Sequence, residues 1–212
     1  MKNLFLLGAL SALFFFSSCG EEELSNINGA QSSFGLVGNT IDVRAGQLGF
    51  SDEELYVTKL ENGVSTLHCS GTNNNTQLMD LLKLVPADIF PGTMTITGNT
   101  IEAEVNAKIT DKGFQAIYND GSALTLVNYD AKVGDKFSAT VGGITLENEV
   151  IEKSTDDDFF WGGMLIKVIT VKYKNPTPGV SSIEHIYNHK FGLVSISIHF
   201  EDGTVKYIGV EC

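Results

Sequence analysis

The sequence predicts an all-β fold, a curved antiparallel sheet in the form of a half-open barrel or a sandwich, with one short amphipathic helix laid on it. Three observations carry that prediction. From Phe34 onward apolar and polar residues alternate in short runs, the two-residue period of a strand with one wet side. Turn signals separate the runs at Asn62-Gly63, Asp111-Lys112-Gly113, Asn119-Asp120-Gly121 and Asp202-Gly203, where glycine and asparagine accept positive φ at little cost. A single stretch departs from this period and repeats its leucines at helical spacing.

Taken in order, strands are expected at 54–60 and 64–69, joined by Asn62-Gly63. The helix follows in NTQLMDLLKLVP. There Leu78, Leu81, Leu82 and Val85 fall at i, i+3, i+4 and i+7, Asn75 or Thr76 caps the start, and Pro86 ends the run. Such a helix can cover an open sheet edge or close a barrel mouth. Strands at 93–97 and 100–109 come next. In the second, Ile101, Ala103, Val105, Ala107 and Ile109 share one face, and Glu102, Glu104, Asn106 and Lys108 the other. Further strands are expected at 114–118, 122–128, 136–141 and 144–152. Residues 164–173, MLIKVITVKY, are apolar on nearly both faces and are expected as one central strand. Strands at 182–187, 193–200 and 204–210 complete a succession of hairpins.

The first residues do not belong to this pattern. Leu4 to Phe16 are free of charge and follow Lys2, the order of a secretory signal. As a helix this segment reaches only about 20 Å, short of the roughly 30 Å bilayer core. Ser17 and Ser18 are small, and Cys19 comes directly after them. That arrangement resembles the bacterial lipobox, whose cysteine is lipidated and becomes the first residue of the mature chain. The resemblance implies a lasting anchor, because two or three acyl chains hold where one holds only marginally. Glu21, Glu22 and Glu23 resemble the acidic stretch that directs Bacteroidota lipoproteins to the cell surface. The expected division is a signal peptide over 1–18, a flexible acidic tether over 19–32 and a single all-β domain over 33–212.

Charge narrows the partners. The chain carries a formal net charge of −12, and removing the signal takes away Lys2 alone. A chain this acidic is repelled by nucleic acid, which is therefore not expected as a partner. After Cys19, two cysteines remain, Cys69 and Cys212. In an oxidising envelope they form either a disulfide, worth about 4 to 5 kcal/mol in the chain-entropy model, or two separate thiols.

Candidate sites are few. His185 and His189 have the H-x-x-x-H spacing that brings two imidazoles to one zinc ion on a helix. Their surroundings read as strand, which holds them about 13 Å apart, so no metal is expected and both read as exposed or hairpin-end residues. The stretch TDDDFFWGG concentrates Asp156, Asp157 and Asp158 with Phe159, Phe160 and Trp161. The aspartates lack the alternating spacing that wraps calcium. This loop is a candidate for partner or ligand contact; alternatively, alternating aromatics pack beneath it while the acids solvate the turn. Ser195, Ser197 and His199 share one face of a strand and read as its wet side. There is no G-x-S-x-G elbow, no P-loop and no dinucleotide fingerprint, so neither an enzyme nor a cofactor is expected.

Between residues 126 and 200, LVNYDAKVGDKFS, GMLIKVITVKY and HKFGLVSISIHF resemble a pattern of Bacteroidota envelope lipoproteins, similar to the half-open barrels of the LolA and LppX type. Two positions depart from it: Phe137 stands where a tryptophan is usual, and Lys190-Phe191 precede Gly192. The resemblance implies curved antiparallel β structure. The expected function is that of a lipid-anchored outer-membrane lipoprotein, exposed at the surface and binding an apolar or glycan ligand without catalysis. That reading predicts an apolar cavity between the sheet and the 78–85 helix. The alternatives are a structural or interaction subunit of an envelope assembly and, from a third class, a hydrolase.

Overall fold

The computed structural model describes residues 27–174 and 178–211. In chain order the strands are β1 (Asp42–Arg44), β2 (Phe50–Glu61), β3 (Val64–Asn73), β4 (Gly92–Thr97), β5 (Thr100–Thr110), β6 (Gly113–Ile117) and β7 (Ala123–Asn128). They continue as β8 (Lys136–Val141), β9 (Ile144–Lys153), β10 (Phe159–Trp161), β11 (Met164–Ile166), β12 (Ile169–Tyr173), β13 (Val180–Asn188), β14 (Gly192–Phe200) and β15 (Val205–Glu211). The helix α1 spans Thr76–Lys83. Among the described residues the protein is all-β with one short α-helix, and the sheets do not close into a barrel.

Two antiparallel sheets form the body. One has the order β2-β3-β5-β6-β7, with β4 pairing the stretch of β5 that β6 leaves free. The other has the order β1-β15-β14-β13-β12-β9-β8. Their facing sides interlock in mixed clusters. Val127 of the first sheet packs with Phe137, Val150, Val171 and Tyr187 of the second. Ala116 and Leu124 pack with Val141 and Leu146. Phe137, the departure from the resembled pattern, is among the largest fully buried side chains. Burying each such side chain stabilises the fold by about 1.5 to 3 kcal/mol.

Turn chemistry sets the hairpins. At Asn62-Gly63 both residues have positive φ, 51° and 77°, the mirror-image turn whose twist suits flanking strands. Gly142-Gly143 and Gly162-Gly163 repeat it. Register shifts interrupt β2/β3, β6/β7, β9/β12 and β13/β14. Such bulges bend strands and sharpen their twist, which accounts for the expected curvature.

The edges are managed by the chain itself. Gly38 and Ile41 donate their amides to Val57 and Leu55 of β2, after which β1 pairs with β15 of the other sheet. One extended segment therefore bridges the two sheets and covers the edge of β2. Residues 27–32, read from composition as tether, lie against the end of β5. Ile27 is 1% exposed, Asp111 and Ala30 bond through their backbones, and Ser32 donates to the Ile109 carbonyl.

The helix begins as expected. The Asn75 Oδ1 accepts from the Leu78 amide at 3.2 Å, satisfying one of the open donors of the first turn. Leu78 and Met79 are buried, and Leu81, Leu82 and Val85 are half-buried.

One expected element divides. Residues 164–173 are not a single central strand: Met164–Ile166 fold back on Phe159–Trp161 as a separate hairpin, and only Ile169–Tyr173 run centrally. The Gly162-Gly163 turn is the cause, since it returns Leu165 onto Phe160 before Ile169 pairs with Lys153 and Tyr187. Met164 and Leu165 are exposed accordingly.

Candidate binding surfaces

The acidic-aromatic stretch is a two-sided hairpin. Strand alternation sends Phe159 and Trp161 toward the body and Phe160 away from it. The inward side packs on a cluster of Ile166, Val168 and Val194, joined by Ile186 and Phe191. Trp161 fixes it twice: its Nε1 donates to the Val210 carbonyl at 2.6 Å, and its ring meets Phe191 with centroids 4.9 Å apart. At the base, the Ser154 amide donates to the Val168 carbonyl at 2.8 Å.

The outward side is apolar and wet. Phe160 is 72% exposed, its cross-strand partner Leu165 56%, and Met164 beside the turn 43%. Asp156, Asp157 and Asp158 lead into the hairpin and are all exposed. The two sequence readings of this stretch thus apply to different residues: Phe159 and Trp161 are anchors, whereas Phe160 is presented. The Gly-Gly dipeptide after an alternating trio was the signal for this hairpin.

In place of the apolar cavity expected between sheet and helix, an open groove of about 490 Å³ and mixed polarity lies beside the C-terminal end of α1. Leu82, Val85, Phe90, Met94 and Ile96 supply its apolar lining, and Lys83 stands among them. The Asn119 amide at its rim donates to the Gly92 carbonyl at 2.8 Å.

The histidines separate. His189 is exposed in the turn after β13, as expected. His185 is half-buried rather than exposed: its Nδ1 is shut off from solvent with no hydrogen-bond partner, on the side of β13 where its ring meets Tyr187. Burial holds its pKa down at about 4. Among the described residues no three His, Cys, Asp or Glu side chains converge to hold a metal ion.

On β14 the Ser195 hydroxyl donates to the Ile208 carbonyl, not to His199. His199 Nε2 lies 3.3 Å from Glu184 Oε2, an ion-pair distance without hydrogen-bond alignment. Nucleophile and base are therefore not paired there. Ser197, read as wet, is buried, since β14 is flanked on both sides by β13 and β15.

Cys69 is half-buried on β3, and its thiol is pushed up to about 11, chiefly by burial and secondarily by Glu104. A neutral thiol of this kind is a poor nucleophile. Cys212, its candidate disulfide partner, lies outside the described residues, as do Cys19 and Glu21, Glu22 and Glu23.

No family model matches the chain, and comparison with curated proteins and with solved structures finds no match either. Function must be argued from the surfaces themselves.

Proposed function

We propose that this chain is a lipid-anchored outer-membrane lipoprotein, exposed at the surface, that acts by binding and not by catalysis, docking a protein partner of the envelope through the β10–β11 hairpin. The observation that carries the reading is the outward Phe160–Leu165 pair on a hairpin held rigid from behind by Trp161. Solvent-exposed apolar side chains clustered on a fixed support mark contact surfaces, and a pre-positioned aromatic loses little entropy when covered. The exposed aspartates beside it favour a partner whose apolar pocket has a basic rim.

The test is cross-linking and co-purification from envelope fractions, comparing the native chain with a Phe160→Ser, Leu165→Ser variant. Both substitutions lie on the wet side and leave the anchors intact. The expected result is loss of the captured partner, corresponding to at least about 2 kcal/mol of binding if Phe160 is a hot spot. An unchanged complex overturns the proposal.

A second reading rests on a separate observation. The groove beside α1 has a lining of mixed polarity, Lys83, Asp88 and Asn119 beside Phe90, Met94 and Ile96, and the size of a small-ligand site, which supports an apolar or glycan ligand held by the same tethered module.

A further inference from the structure

Five connections meet at one end of the sandwich. They are the β5–β6 turn at Asp111-Lys112, the residues after β7 at Tyr129-Asp130, the end of β9 at Lys153-Ser154, Lys167-Val168 before β12, and the β13–β14 turn at His189. Together they line a cavity of about 290 Å³, with Tyr187 in its wall. In a chain of net charge −12, three lysines stand around one small cavity.

Their charges are unequally neutralised. Lys112 Nζ pairs with Asp130 Oδ2 at 3.2 Å, whereas Asp111 Oδ1 accepts from the Ala30 amide at 3.0 Å, which holds that carboxylate in place without neutralising it, so three lysines outnumber two aspartates in the lining. Lys153 Nζ donates to the Tyr129 and Ala131 carbonyls at 2.9 and 2.7 Å, which holds the ammonium in place without neutralising it. Among the described residues, neither Lys153 nor Lys167 has a carboxylate within ion-pair distance. Burial raises the pKa of both Tyr129 and Tyr187, so each hydroxyl stays protonated and able to donate.

We infer that this cavity is a binding site for a phosphate-bearing group. Two ammonium groups without an ion-pair partner, in a lining where lysines outnumber aspartates and Tyr129 and Tyr187 also stand, suit an acceptor with several anionic oxygens, and lysine serves phosphate as a point charge. The volume, in a pocket open to solvent, lies at the lower limit of small-molecule sites, which suits a headgroup.

The position of the N-terminal segment points to the source. Gly29 and Ala30 lie directly against Asp111 and Lys112, so the chain enters the fold beside the cavity. Resting on the lipid-anchor reading, eight residues from Cys19 to Ile27 reach at most about 28 Å. This end of the sandwich is then held within that distance of the bilayer, and the phosphate is that of a lipid headgroup. Docking there orients the body on its tether.

The experiment uses the chain from Gly20 onward, which carries no lipid. Inorganic phosphate is titrated against it by NMR, with acetate at equal ionic strength as control, and sedimentation is measured with phosphatidylcholine vesicles with and without phosphatidic acid. The expected result is a phosphate-dependent shift of the Ser154, Lys167 and His189 amides, weaker with acetate. Sedimentation should require phosphatidic acid and fall about tenfold in Lys167→Glu, a substitution at an exposed side chain that the fold does not need. Lys172→Glu, on another part of the second sheet, should leave it unchanged, and Tyr129→Phe should weaken phosphate binding without unfolding.

No phosphate response, an equal response to acetate, or binding indifferent to Lys167→Glu overturns the site. A localised response to inorganic phosphate without vesicle binding supports the site and assigns free phosphate as the source. Because the chain tested has no anchor, an unlipidated Cys19 would remove the headgroup argument and leave the cavity result standing.

Discussion

On β13, His185 stands opposite Val171 of β12 and Ile196 of β14, so aliphatic side chains flank it from both neighbours. Its folded pKa is about 4, against about 6.5 in an unfolded chain. Between those values the unfolded state binds a proton that the folded state does not. Stability therefore rises with pH across this window and is lost as pH falls through it, by up to about 3 kcal/mol. That is a large fraction of the 5 to 15 kcal/mol typical of a domain. His185→Leu should raise the melting temperature increasingly as pH falls from 7, most at and below about pH 4, and least above pH 7, where the only gain is removal of an unpaired ring nitrogen, about 1 kcal/mol. Parallel pH profiles for the two proteins would contradict this account. The strand around His185 was legible from its alternation, but its inward face was not, because polar and apolar residues occupy both sides of IEHIYNH.

At the scale of elements, most strands were legible because period and turn chemistry agree within a few residues. The hairpin of β10 and β11 was missed because MLIKVITVKY reads as one apolar run, which outweighed the Gly162-Gly163 turn signal just before it. The segment 27–32 was missed for a different reason: it is polar in composition, and its order comes from β5. A chain beginning at residue 33 loses the burial of Ile27 and the backbone bonds of Ala30 and Ser32. It should be about 2 to 4 kcal/mol less stable in urea than one beginning at residue 27. Equal midpoints would mean that this segment rests on the sheet without supporting it.

At the scale of the whole molecule, the proposed arrangement is a body with two neighbouring working surfaces, since the hairpin springs from Ser154 and Lys167-Val168, which also line the cavity. The chain enters beside the lysine-lined cavity, and the presented hairpin is fixed on β15 by the Trp161 bond to Val210. The anchor is tested by mass spectrometry of the mature N-terminus. A diacyl or triacyl mass on Cys19 is expected, and it should vanish in Cys19→Ala together with retention in the membrane fraction. An unmodified native N-terminus would remove the anchor and with it the argument for orientation.

By itself the sequence determined the all-β class, the helix with its cap narrowed to Asn75 or Thr76, the hairpin turns and nearly every strand, because each depends on neighbours a few residues away. Tertiary structure alone decided that the Nδ1 of His185 is shut off from water, that Trp161 supports while Phe160 is presented, and that Lys112, Lys153 and Lys167 share a cavity with Tyr129 and Tyr187. These depend on which strands become neighbours and which face turns inward. A two-residue period states that a strand has two faces; only the packing of one sheet on the other states which face is buried.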